Sequence, residues 1–177
     1  GEGASSCDVC AAGYYSTATD LGSAGGPSFG CTECDAGYLC TTGSTAQTEC
    51  AAGSVQPSSV QGACVQCTAG TYQSATAQQT CDACEAGSYC PTGASAPLPC
   101  PGGTHKHPTL EVMSSVDQCI VCLPGTFCSV GSTEPTPCAP GTYNPTPEQS
   151  TCINCEAGTF QELAGNTTCL PCTEGSY

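Results

Sequence analysis

The stretch Cys67-Thr-Ala-Gly-Thr-Tyr-Gln-Ser-Ala-Thr-Ala-Gln-Gln-Thr-Cys81 decides the fold, because the rest of the chain repeats its frame. A cysteine is followed three residues later by glycine and usually five residues later by an aromatic. A polar run comes next, and a second cysteine closes it. Segments of this kind open at Cys10, Cys34, Cys50, Cys67, Cys84, Cys100, Cys122, Cys138, Cys155 and Cys172, and each has its glycine, from Gly13 to Gly175. A glycine at one fixed place in every segment predicts a turn with positive φ, which only glycine adopts without steric cost. The fifth place holds Tyr15, Tyr72, Tyr89, Phe127, Tyr143, Phe160 and Tyr177, with Leu39, Val55 and His105 as exceptions. A ring there can lie across a disulfide and give each segment a small core.

Composition sets the compartment. Leu, Ile, Val and Phe number only 20 of 177 residues and the net charge is −14, a balance that leaves an ordinary chain unfolded. Twenty cysteines reverse that expectation: they predict a disulfide scaffold, and hence an extracellular, secreted or cell-surface protein. A bridge closing about 15 residues contributes roughly 3 kcal/mol in the loop-entropy treatment, so several can stand in for a hydrophobic core. Lys106 is the single basic residue against 15 acidic ones. That argues against nucleic acid and anionic membranes as partners and leaves trypsin-like proteases one primary site, so protease resistance is expected. No apolar run reaches 18 residues, so no membrane insertion is expected, and the secretion signal is expected to lie elsewhere.

Seven CxxC pairs punctuate the chain, at Cys7/Cys10, Cys31/Cys34, Cys64/Cys67, Cys81/Cys84, Cys119/Cys122, Cys152/Cys155 and Cys169/Cys172. They mark out a short unit over 1–31, a long unit over 31–64, a short unit over 64–81, a long unit with a loop insertion over 81–119, a long unit over 119–152, a short unit over 152–169, and the start of a further unit over 169–177. The insertion around His105-Lys106-His107 reads as a lengthened surface loop. The fold class follows: small disulfide-rich tandem repeats with little regular secondary structure, short β-hairpins, and the form of an elongated rod in which each unit touches only its neighbours. In the short units the frame suggests the bridges Cys10–Cys31, Cys67–Cys81 and Cys155–Cys169.

With its C-x-x-G-x-[YF] loops and four-cysteine long units, the chain resembles the cysteine-rich domains of the tumour necrosis factor receptor superfamily and the related ephrin-receptor-like repeats. Protist surface antigens rich in CxxC are a weaker likeness. The first resemblance implies crossed long units: Cys34–Cys50 with Cys40–Cys64, Cys84–Cys100 with Cys90–Cys119, and Cys122–Cys138 with Cys128–Cys152. The residues also allow a simpler scheme, Cys84–Cys90 with Cys100–Cys119, because Cys100-Pro-Gly-Gly-Thr restarts the basic segment. The crossed scheme is the expectation.

No catalytic residue, metal ligand or cofactor is predicted. Zinc would strand Cys40, Cys90 and Cys128, and thiol redox chemistry needs a CxxC at a helix start. His105 and His107 would share a face of an extended segment and could hold a metal or sense pH, but a polar loop accounts for them. Asp8, Glu33, Asp35, Asp82, Glu85 and Glu156 beside cysteines read as solubilising charge rather than calcium ligands. Asn166-Thr-Thr168 is a glycosylation sequon, whereas Asn144-Pro-Thr146 is blocked by its proline, and Ser, Thr and Pro clusters suit O-glycans.

Regular repetition without a site points to a structural protein: a glycosylated, disulfide-stapled segment or protomer of a filament, appendage or coat. A ligand-binding receptor ectodomain is the alternative. Cys7 and Cys172 fall outside complete units, so the chain is expected to begin and end inside a repeat. Its expected partners are therefore glycans, and itself head to tail or adjoining repeats of a longer chain.

Overall fold

A computed structural model describes residues 9–16 and 30–173. The chain forms two compact bodies, one of residues up to Asp82 together with Thr92–Ala96, the other of Ala83–Pro91 with residues from Pro97 on. Each is a series of two-stranded antiparallel hairpins. The first body holds Tyr14–Ser16 on Cys31–Glu33, Tyr38–Leu39 on Thr48–Glu49, and Ser54–Val55 on Val65–Gln66. The second holds Ser88–Tyr89 on Leu98–Pro99, Thr104–His105 on Ile120–Val121, Thr126–Phe127 on Thr136–Pro137, Thr142–Tyr143 on Ile153–Asn154, and Thr159–Phe160 on Leu170–Pro171. The small disulfide-rich repeat expected from the sequence is the observed fold.

Each segment starts with a tight turn. In the Cys67 segment the Thr71 amide donates to the Thr68 carbonyl at 2.9 Å, and the Thr71 hydroxyl donates to the same oxygen at 2.7 Å. Gly70 occupies the turn's third place with φ of 88°, the left-handed value such a turn requires. Thr104, Thr126, Thr142 and Thr159 repeat this double clamp, which explains why Ser or Thr so often follows the glycine.

Cysteines are the core. The fully buried side chains are cysteines apart from Met113 and Asn144. The rings at the fifth place are half-buried at most, and Phe160 is 38% exposed. The bridges themselves therefore occupy the interior that the rings were expected to share.

Nine disulfides join the described cysteines. Cys10–Cys31, Cys67–Cys81 and Cys155–Cys169 each tie the two arms of one hairpin, with Cα atoms 5.7 to 5.8 Å apart. The crossed pairing of the long units does not occur. In place of Cys34–Cys50 and Cys40–Cys64 the structure has Cys34–Cys40 and Cys50–Cys64. In place of Cys84–Cys100 and Cys90–Cys119 it has Cys84–Cys90 and Cys100–Cys119. In place of Cys122–Cys138 and Cys128–Cys152 it has Cys122–Cys128 and Cys138–Cys152. The reason is local. Cys34, Cys84 and Cys122 open hairpins with no closing cysteine on the return arm, and Gln47 stands where Cys64 stands in the next segment. Each of these three instead reaches the cysteine six residues on, across its own glycine turn, at Cα separations of 5.8 to 6.3 Å within bridging range. Every complete segment is thus stapled to itself.

Successive segments within a body stack through backbone hydrogen bonds in one pattern. The turn glycine donates to the sixth residue of the next segment: Gly37 to Gln56 and Gly53 to Gln73 in the first body, Gly103 to Cys128 and Gly125 to Asn144 in the second, at 2.7 to 2.9 Å. The sixth residue then donates onward, as Gln56 does to Gln78 and Cys128 to Gln149, both at 3.0 Å. Loops of segments other than the one opened by Cys100 also turn at a positive-φ residue, such as Val60, Ala77, Gly131 or Glu148, whose amide donates to the first cysteine of the preceding segment. The same loop residue covers the turn glycine two segments back. A Cβ on Gly13, Gly53 or Gly103 would collide with the carbonyl of Val60, Gly93 or Glu148 respectively. Contacts therefore reach one segment further than nearest neighbours, and a turn glycine covered in this way is required twice, for its φ and for its missing side chain.

Candidate functional site

One hairpin departs from the rule at three places. The segment opened by Cys100 has His105 where the others have a ring or an aliphatic, Lys106 where most have an amide or a cysteine, and a separation of 19 residues between bridged cysteines rather than the 14 of the segments opened by Cys50, Cys67, Cys138 and Cys155. His105 lies in the strand Thr104–His105 opposite Ile120. The insertion is more than the surface loop expected of it. It buries Met113 to 1% exposure, and Met113 takes the stacking place, its carbonyl accepting from the Cys90 amide at 3.0 Å. Ser115 then caps a 3₁₀ turn, Val116–Gln118, that returns the chain to Cys119.

Lys106 and both histidines organise this loop. The Lys106 ammonium donates to the His107 carbonyl at 3.4 Å and to the Leu110 carbonyl, so it holds the insertion where a glutamine elsewhere holds a shorter one. His107 engages Met113 Sδ through its backbone amide at 3.5 Å, while its Nδ1 meets the Thr109 amide at 3.3 Å and hydroxyl at 3.1 Å. The Nδ1 of His105 is buried with no hydrogen-bond partner. His105, Lys106 and His107 line one cavity of about 340 Å³ with Pro108, Glu134 and Pro135. Every lysine and histidine of a chain with net charge −14 is in that wall. A second cavity, of about 370 Å³, lies against Tyr143, Pro145, Glu156, Thr167 and Thr168.

The sequon residue Asn166 is half-exposed, its Nδ2 donating to Leu163 O at 3.0 Å and its carbonyl accepting from the Asn144 amide at 3.2 Å. Thr167 and Thr168 are exposed. Asn144 is fully buried, with Nδ2 donating to Thr126 O at 2.9 Å, so burial as well as proline closes that second sequon. Cys172 is a half-exposed free thiol, and Cys7 and Asp8 lie outside the described residues. Glu33, Asp35, Asp82, Glu85 and Glu156 are exposed, and among the described residues no group of three or more His, Cys, Asp or Glu converges as a metal site.

The residue six places after each opening cysteine has a role that the cysteine–glycine frame does not announce. Where the hairpin arms are bridged it is an amide in four segments: Gln56, Gln73, Asn144 and Gln161. The glutamines span their loops alike, Nε2 donating to the carbonyl just before the closing cysteine, as Gln73 does to Thr80 at 2.8 Å and Gln161 to Thr168 at 2.7 Å. Where the arms are not bridged it is Cys40, Cys90 or Cys128. Its signal in the sequence is an exchange between cysteine and amide at one place.

Residues 141–177 match the family described as tyrosine-protein kinase ephrin type A/B receptor-like. No curated protein matches the chain. That match and the nine disulfides fit cysteine-rich receptor-like repeats, and the matched family is an ectodomain type. Such bridges form and persist in oxidising surroundings, which fits an extracellular or secreted chain. Among the described residues no helix is long and apolar enough to cross a membrane.

Proposed function

We propose that the chain is an extracellular structural protein: a disulfide-stapled, glycosylated repeat array that serves as a segment or protomer of a cell-surface filament, appendage or coat. The observation that carries this reading is the sameness of the stacking bonds, glycine to sixth residue and loop amide to first cysteine, through segments of different length and sequence. Such a contact can be extended by adding segments without new chemistry, either in one chain or head to tail between copies. N-glycans at Asn166 and exposed acidic residues would keep the array soluble. Electron microscopy of the secreted material tests the proposal, with filaments or a periodic coat as the expected result. Isolated particles that bind a soluble ligand tightly would overturn it in favour of a receptor ectodomain, the reading that the cavity at His105–His107 supports.

A further inference from the structure

We propose that the cavity at His105, Lys106 and His107 is a binding site for an acidic sugar residue. Three departures from the repeat rule coincide there, and stacking requires none of them. Other segments stack with Phe127 or Tyr143 in place of His105 and with Gln73 or Asn144 in place of Lys106. The arrangement is not a packing optimum, since the buried Nδ1 of His105 is left without a hydrogen-bond partner.

The lining selects the ligand. Lys106 uses two of its three donor hydrogens on the His107 and Leu110 carbonyls, which leaves one for an acidic group in a cavity that both histidines also line. Glu134 lines the same cavity and would repel a chain of carboxylates, but can accept from the hydroxyls of a sugar that carries a single one. Pro108 and Pro135 supply apolar walls for ring C–H groups, and about 340 Å³ lies at the small end of the range for small-molecule sites. A metal ion is the poorer fit, because the ammonium stands in the wall and no three ligating groups converge among the described residues.

The chain has only two histidines, so imidazole resonances of the ¹⁵N-labelled, fully oxidised chain report this site alone. Titration with glucuronate should shift both sets saturably, with a dissociation constant on the order of 1 mM. Glucose at the same concentrations should leave them in place. His105→Phe and Lys106→Gln install residues that other segments already carry at these places, so both variants should fold. Each should weaken glucuronate binding about tenfold, the loss of one charge-assisted contact. Equal shifts with glucose, unchanged affinity in both variants, stoichiometric zinc binding in the absence of any glucuronate response, or tighter binding of a glutamate oligopeptide would each overturn the assignment.

Discussion

The segments opened by Cys67 and Cys84 solve one closure problem in two ways. In the first, the bridge to Cys81 ties the hairpin arms 14 residues apart, and Gln73 at the sixth place spans the loop with its amide. In the second, Cys90 takes the sixth place and bridges back over six residues, leaving the arms joined by backbone bonds alone. Stacking is indifferent to the choice: Gln73 N donates to Ala94 O at 3.1 Å in the first body, and Cys90 N donates to Met113 O at 3.0 Å in the second. Backbone carries the array, while the side chain at the sixth place decides only how a segment holds itself. That separation explains how the Cys100 segment takes five extra residues while Met113 accepts from Cys90 and Lys106 donates onward to Ser132 through the backbone.

The broadest test removes both kinds of closure together. Full reduction with thiols blocked should abolish the hairpin signal in circular dichroism and expand the chain, since cysteines are most of what is buried. Persistence of a compact, structured chain would show that backbone stacking suffices alone. Removed separately, the bridges should differ. Replacing Cys67 and Cys81 by alanine should cost about 3 kcal/mol and replacing Cys84 and Cys90 about 2 kcal/mol, the longer loop losing more in the loop-entropy treatment. Thermal unfolding of the two double variants measures the difference.

The hairpins were legible from the sequence because glycine and cysteine act locally. Gly70 is needed at φ of 88° whatever surrounds it, so its recurrence announces the turn. The pairing of the long units was less accessible. It depends on noticing that Gln47 stands in the closing position, and on knowing that an amide at the sixth place replaces a bridge there. His105 could be flagged as an exception among aromatics, but Glu134 and Pro135 come from the following segment. Their place beside it is set by the pairing of His105 with Ser132, a stacking register that no local pattern encodes.

Turn glycines allow a finer comparison within the second body. Gly125 and Gly141 have φ of 83° and 81°, so alanine at either should cost about 1–2 kcal/mol in backbone strain. At Gly125 the new methyl would also collide with the Gly165 carbonyl, whereas at Gly141 nothing lies within 4 Å. Gly125→Ala should therefore lose about 1–3 kcal/mol more than Gly141→Ala, the usual cost of overpacking. Equal losses in melting experiments would mean that the loops do not press on the glycines, and the next-but-one contact would be incidental.

The smallest effect is expected where an amide stands in for a bridge. Gln73 is 6% exposed, donating to Thr80 O at 2.8 Å and accepting from Ala75 N at 3.0 Å. Truncation to alanine removes both bonds, yet Ala75 and Thr80 are exposed residues whose freed backbone groups can turn to water. The cost should then sit near the ordinary net value of a hydrogen bond, about 1 kcal/mol, and not at the penalty of a buried unpaired group. The loss should also be local. Amide exchange at Ala75 should quicken, while Gln73 itself, donating through its backbone to Ala94, stays protected. Gln73→Glu sharpens the point: it retains the acceptor for Ala75 but replaces the donor to Thr80 with a second acceptor, so it should quicken Ala75 exchange less than the alanine variant does. If Gln73→Ala instead frees the Gln73 amide, closure and stacking are one device, and the indifference of the stack to the sixth side chain fails.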